Sequence, residues 1–376
     1  MTRGAIVDGE ILVENGESKM ENKKKMSGGG YNASRIEGID ALRGFGCIAI
    51  AAWHILANGG FQIDGYMVNT IIPSWNDLVF LFMMISGFSM CYGYYERFKN
   101  NEISIETFYK RRYAKIVPFF SVLIVADVLI EHSLESLAEG FIELTMVFGL
   151  LPNNQLNVIG VAWTLGVIFV FYIAFPFIVF LVSNRRRAWL AFAVSVVIQI
   201  LCQMYFMTGK FVGSNFSAKH SFLFCTPFFL AGCLMYLYRE NIIIAVRKTE
   251  RLGLGTCCLM TVLYYIVPHS IGTLKINEML VLVLYALWII YAIGTTNKLF
   301  CNRGTKFISG ISMEIYLSHM LCFRVIDKIG VTRLFGTGIF SYIFVIIICL
   351  ILLMLAIPLT QKILTQVVKT LKTVAL

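Results

Sequence analysis

Charge is scarce in this chain. Lys, Arg, Asp and Glu make up 14% of its 376 residues, where a soluble domain carries about a quarter. Acid is the scarcer sign, with 22 acidic against 32 basic residues and a formal net charge of +10. With 58% hydrophobic residues and a mean hydropathy of +0.74, that shortage excludes an ordinary water-soluble fold. Short segments of alternating polar and apolar residues are also lacking, which excludes a membrane β-barrel. The ten cysteines include no Cys-x-x-Cys pair, and no His stands at metal-ligand spacing from them. No metal is therefore expected, and Cys47, Cys91, Cys202, Cys225, Cys233, Cys257, Cys258, Cys322 and Cys349, all inside apolar runs, are expected to be buried free thiols. No cleavable signal peptide is expected from the polar first residues. Residues 1–38 are polar, with Lys23-Lys24-Lys25 and Gly28-Gly29-Gly30, and are expected to form a flexible cytoplasmic tail. No internal repeat stands out, which weighs against transporter folds built from duplicated halves.

What the chain has is apolar runs of membrane length, at about 41–59, 76–95, 116–131, 139–151, 160–182, 188–207, 221–239, 253–268, 278–293, 309–326 and 338–360. The predicted fold class is all-α, a polytopic membrane helical bundle. Its basic residues then mark cytoplasmic loops rather than a nucleic-acid surface. The loop 60–75 has no Lys or Arg, whereas 96–115 carries Arg97, Lys99, Lys110, Arg111, Arg112 and Lys115. If the short run 139–151 crossed fully, Arg185-Arg186-Arg187 would land outside. If it dips in and returns, that triple and the later basic loops lie inside, and only the Arg324–Arg333 cluster fits poorly. About ten full spans plus one short or re-entrant helix are thus expected, as a transmembrane domain over 39–362 with a cytoplasmic C-terminal tail at 363–376. Both termini are placed in the cytoplasm of a multi-pass cell-membrane protein.

The first run, 39–57, holds the residues of greatest interest. Arg43 and His54 are eleven positions apart. On a helix that is roughly three turns plus 20°, so both side chains share a face about 16 Å apart along the axis. A His inside a membrane-length apolar segment is costly to keep and is a functional-site candidate by default. The plainer alternative is a structural His bonded to a neighbouring helix, with Arg43 as a headgroup anchor.

Several stretches together resemble the membrane acyltransferase-3 family. Ile39-Asp40-Ala41-Leu42-Arg43-Gly44 followed by His54 is similar to the family's Arg-x10-His signature. Phe82-Met83-Met84-Ile85-Ser86-Gly87-Phe88 resembles its Phe-Phe-x-x-Ser-Gly-Phe stretch. Arg111-Arg112-Tyr113-Ala114-Lys115-Ile116-Val117-Pro118 matches the basic run before the third span, with Lys115 where Arg is common. Trp163-Thr164-Leu165 with Phe171-Tyr172 and Phe175-Pro176 looks like the Trp-Ser-Leu segment. Ile311-Ser312-Met313-Glu314-Ile315-Tyr316-Leu317-Ser318-His319 resembles the late Ile-Ser-Tyr-x-x-Tyr-Leu-x-His helix. The chain departs from the pattern where many members carry acids after the Trp-Ser-Leu, since Ile168 and Phe169 stand there.

The resemblance implies transfer of an acyl group, taken to be acetyl, from cytoplasmic acetyl-CoA to a hydroxyl of an extracytoplasmic acceptor such as a cell-surface polysaccharide. Arg111, Arg112 and Lys115 would hold the donor's phosphates, because guanidinium forks pair with phosphate; simple compliance with charge bias is the alternative. His54 would be the general base, since an imidazole is a proton acceptor at neutral pH, or else an acyl-accepting nucleophile, with Arg43 and Asp40 as further residues of the site. Asp40 can orient Arg43 one turn away or cap the first helix. Ser86, Trp163 and Tyr316 are candidate oxyanion donors, and His319 is either an acceptor contact or a packing residue. Asp77, Asp127 and Glu143 lie near the outer face and are candidates to orient an acceptor hydroxyl. A transporter or flippase of a lipid-linked or small solute, with His54 and His319 lining a path, is the competing function. A glycan polymerase would be expected to carry a large outer loop, and no loop here exceeds about twenty residues.

Overall fold

A computed structural model describes residues 35–131, 134–150, 158–213, 216–271 and 274–374. The expected N-terminal tail, apart from its last four residues, lies outside the described residues. Ten of the eleven apolar runs are helical over most of their length, as backbone N–H and C=O groups require where no water is present to bond them, while 139–151 is α-helical only as far as Leu144. In chain order the helices are α1 (Glu37–Asn58), α2 (Leu78–Lys99), α3 (Ile105–Glu131), α4 (Leu134–Leu144), α5 (Trp163–Leu181), α6 (Arg185–Leu201), α7 (Phe222–Leu237), α8 (Arg239–Lys248), α9 (Glu250–Ile266), α10 (Asn277–Gly294), α11 (Arg303–Gly310), α12 (Ser312–Lys328) and α13 (Ile339–Val374). Among the described residues the only strand pairing is a two-residue ladder, Ser270 opposite Lys275 and Ile271 opposite Leu274.

Seven of these elements are long and apolar enough to cross a membrane, and an eighth results if α7 and α8, bent by 76° at their junction, count as one. α9 and α12, at 17 residues each, are shorter. α4 has only 11 residues, about 16 Å of helix, too little to span. α13 continues unbroken through residue 363 to Val374, so the segment expected as a tail extends the last helix. Pro118, Pro176, Pro227 and Pro358 sit inside helices. α6 turns Trp189, Leu190, Val194 and Val197 outward, an apolar face suited to lipid.

The centre of the bundle is the contact between α2 and α7. A Cβ on Gly232 would stand 2.0 Å from the Met84 carbonyl oxygen, and one on Gly87 would stand 2.1 Å from that of Phe229. Two glycines on facing helices therefore let the backbones touch, the small-residue packing that lipid-embedded helices depend on. Around this contact Phe80 stacks on Phe228 at 4.2 Å and Phe171 on Phe229 at 4.5 Å. α1 lies beside α2, with α10, α11, α12 and α13 on its other sides, and the Tyr342 hydroxyl of α13 donates to the Ala52 carbonyl at 3.0 Å.

Two of the acids far from the basic loops, Asp77 and Asp127, are paired with cations. Asp77 accepts from Lys219 and, at 2.9 Å, from Asn277 Nδ2, whose own Oδ1 takes the Tyr264 hydroxyl at 2.8 Å. Asp127 of α3, 2% exposed, pairs with Arg324 of α12. Arg324 belongs to the cluster that fitted charge bias poorly, and this carboxylate balances it. Glu143 of α4 is buried.

Adding a side chain at the helix contact should loosen the whole bundle. Gly232→Ala is expected to destabilise the detergent-solubilised protein by about 1–3 kcal/mol, the range for overpacking, and Gly232→Val by more. Thermal loss of monodisperse protein on size exclusion measures both.

Candidate active site

The structure brings five of the sequence candidates to one cavity. A space of about 190 Å³ is walled by Arg43 from α1, Ser86 and Ser89 from α2, Arg112 and Lys115 from α3, Thr164, Ile168 and Tyr172 from α5, and Tyr316 from α12. Each wall comes from a different stretch of the resemblance. No carboxylate lines it, and three cations do.

Each cation is held by its neighbours. Arg43 Nη1 reaches Asp40 Oδ1 at 3.4 Å and Nη2 donates to Ser89 Oγ at 3.1 Å. Asp40 also accepts the Ser309 hydroxyl at 2.9 Å. α1 begins three residues earlier, at Glu37, with Ile36 as its cap residue, so Asp40 orients Arg43 and does not cap. Arg112 donates to the Tyr94 hydroxyl and, at 3.7 Å, to Met90 Sδ. Its guanidinium lies 4.7 Å over the Tyr94 ring and 5.8 Å over that of Tyr172. Lys115 is exposed at the rim. Arg111, one residue before Arg112, points to the exposed side and does not line the cavity.

The hydroxyls divide by what their protons already do. Tyr316 OH lies 3.2 Å from the Val161 carbonyl and 2.8 Å from Thr164 Oγ1. A carbonyl only accepts, so the Tyr316 proton is engaged there and Thr164 can donate to Tyr316. Ser86 Oγ and Tyr172 OH are 3.0 Å apart; one donates to the other, and one proton of the pair remains to offer. Trp163 faces elsewhere, with its ring stacked on His220 at 4.3 Å. His220 lies in the 218–220 loop, where burial first and the Lys219 charge second push its pKa down to about 4.

His54 is not on the cavity wall. It lies beyond Tyr316, whose ring is 6.0 Å from that of His319, and His319 in turn is 5.2 Å from His54. Both sequence-singled histidines thus meet on facing sides of α1 and α12. His54 is half-buried, and its ring makes no hydrogen bond among the described residues. His319 is wholly buried; its Nδ1 contacts the Ile315 carbonyl at 3.3 Å, and its Nε2 has no partner among the described residues.

Ser89, Thr164 and Tyr94 were not singled out from the sequence. Ser89 had a signal, lying three residues after Ser86 and so on the same helix face. Thr164 had one too, standing in the Trp163-Thr164-Leu165 stretch of the resemblance; Tyr94 had none, because its hydroxyl matters only through a partner on another helix. Ile168 lines the cavity and Phe169 is buried with its ring 4.7 Å from that of Tyr113. The two positions at which the chain departs from the resemblance are therefore apolar wall and apolar core.

Among known proteins, the chain is 29% identical over 195 residues to acyltransferase MdmB of Streptomyces mycarofaciens, covering 48% of each chain. It thus spans about half the length of that curated relative. No solved structure matches. A model of the acyltransferase domain of the acyltransferase-3 family matches residues 36–357. That match runs from the residue before α1 to the middle of α13 and takes in every wall of the cavity and both histidines: the chain belongs to the acyltransferase-3 family.

Proposed function

We propose that this protein is a membrane O-acyltransferase that moves an acetyl group from cytoplasmic acetyl-CoA to a hydroxyl on an extracytoplasmic acceptor, with His54 as general base. The observation that carries this is the cavity lined by Arg43, Arg112 and Lys115 with no carboxylate in its wall. Such a wall favours an anion or a polarised carbonyl over a cation. Its volume, about 190 Å³, is below the several hundred Å³ of an ordinary ligand pocket. It therefore takes the slender thioester arm of the donor, while the phosphates stay at the rim near Lys115, Arg111 and Arg112. The termini and the basic loops lie on the donor's side, and the acceptor, a surface glycan, arrives from the other.

In the reaction the acceptor oxygen attacks the thioester carbonyl as His54 takes its proton. The negative charge that develops on the carbonyl oxygen is met by the remaining proton of the Ser86–Tyr172 pair, while Arg112 stays with the donor's phosphates. The C–S bond then breaks, the ester forms, and the departing thiolate recovers the proton from the imidazolium to leave as coenzyme A thiol. Arg43, held by Asp40 and Ser89, keeps positive potential at the inner end of the thioester path. A base contributes about 10²–10⁴-fold to such a step.

Transfer of labelled acetyl from acetyl-CoA to the membrane and surface-glycan fraction should fall about 10²–10⁴-fold in His54→Ala, with the protein still folded. Wild-type transfer by that variant would overturn the base assignment. Arg112→Ala should weaken binding of coenzyme A to the purified protein by about tenfold or more, since a charge-assisted bond is worth about 1.5–3 kcal/mol. Lys115→Ala, at the exposed rim, should weaken it less. Equilibrium binding of labelled coenzyme A in detergent reads both, and unchanged affinity in both would remove the donor site from this cavity.

A further inference from the structure

We infer that His319 is the positioning residue for His54: its Nε2 lone pair accepts the N–H of the His54 ring and leaves the other His54 nitrogen to face the acceptor hydroxyl. This rests on His54 being the base.

The tautomer of His319 follows from its surroundings. Nδ1 contacts the Ile315 carbonyl at 3.3 Å, and a carbonyl cannot donate, so Nδ1 carries the proton and Nε2 carries the lone pair. That acceptor is wholly buried and has no partner among the described residues. Leaving a buried acceptor unmade costs about 1–3 kcal/mol, which a donor within reach recovers. The neighbour in reach is His54. Its ring centroid is 5.2 Å away with the planes tilted by 39°. With each nitrogen about 1 Å from its ring centre, nitrogens turned toward each other come to about 3 Å, hydrogen-bond distance. The two rings have not yet closed that bond, and catalytic hydrogen bonds commonly tighten only once substrate is bound.

The chemistry needs such a partner. A neutral imidazole used as a base must keep its proton on the nitrogen away from the substrate, and a third group must hold that tautomer. In many such sites the holder is a carboxylate. Here no carboxylate forms an ion pair with either ring among the described residues. The backbone around the pair is firmly set: the Ala52 carbonyl, two residues before His54, accepts from Tyr342, and the His319 carbonyl lies 3.7 Å from Cys349 Sγ. His319 is therefore a fixed acceptor against which the His54 ring turns.

The test uses the full-length protein in lipid nanodiscs, as wild type, His54→Ala, His319→Leu and His319→Gln, with acetyl-CoA as donor and the membrane glycan fraction as acceptor. Replacing a residue that orients a reacting group commonly costs about 10–100-fold. His319→Leu should lower kcat by that factor and leave the acetyl-CoA KM unchanged. His319→Gln, whose Oε1 can occupy the Nε2 position, should recover most of it. In ¹⁵N-histidine spectra at neutral pH, His54 should show one neutral tautomer in wild type and Gln and a mixture in Leu. If His319→Leu does not fold, His319→Asn, which reaches Ile315 but has no atom at the Nε2 position, carries the same expectation. Wild-type kcat in His319→Leu, or equal loss in Leu and Gln with an unchanged His54 spectrum, overturns the proposal while leaving the base assignment intact. Full activity in His54→Ala overturns both.

Discussion

Arg43 is the residue on which the arrangement turns. A guanidinium set among apolar helices is costly unless its donors are filled, and the chain answers them from two helices. Asp40 answers from the same helix one turn earlier and Ser89 from α2, while Ser309 of α11 donates to Asp40 in turn. This chain of polar contacts fixes the rotation of α1 about its own axis. Helix geometry then carries that rotation three turns along to His54, which must face α12 and not lipid. Rotating α1 by one residue position, about 100°, would break both the arginine cluster and the histidine contact.

A single cavity also explains why five scattered stretches share one resemblance. Taken along the chain they are separated by loops and by whole helices that belong to none of them. In space they form the walls of one small chamber whose polar groups are answered across helix boundaries, Ser86 by Tyr172 and Tyr316 by Thr164. Such pairs lower the cost of keeping hydroxyls inside an apolar bundle, although Arg112 Nε has no partner among the described residues. Large rings alone would have filled the same space more cheaply; the chain retains polar groups there and spends its phenylalanines on the α2–α7 contact instead.

Much of this was legible in the sequence, and unevenly so. Composition and run length were enough for a helical membrane bundle, because burial in lipid leaves the backbone few alternatives. The shared face of Arg43 and His54 followed from helix periodicity alone. Span number did not follow. α9 and α12 are short, and the bend between α7 and α8 leaves two elements where a span needs one, neither of which hydropathy distinguishes; only the shortness of the run that holds α4 was visible. Asp40 could not be assigned from spacing, since capping and pairing with Arg43 both fit one turn; the helix start at Glu37 decides it. The Asp127–Arg324 pair was hidden for a different reason. Its partners are far apart in sequence, so Arg324 looked like a misplaced charge until α3 and α12 were seen side by side.

The distance between the cation cluster and the histidine pair is itself a constraint on the chemistry. In the proposed reaction a donor confined to one side of a bilayer and an acceptor confined to the other can meet only within its thickness, about 30 Å of hydrocarbon. Charge suits the rim, where water still screens it, and becomes expensive toward the middle. The chain is ordered in that sense: arginines and lysine around the cavity, paired hydroxyls along its wall, and the two imidazoles beyond Tyr316. A carboxylate beside His54 would hold its tautomer more strongly, but it would bring a desolvated charge of several kcal/mol into the least polar part of the path. A neutral histidine gives direction without that cost and stabilises the imidazolium less. In the proposed reaction the proton therefore has reason to return promptly to the departing thiolate, which couples ester formation to release of the donor.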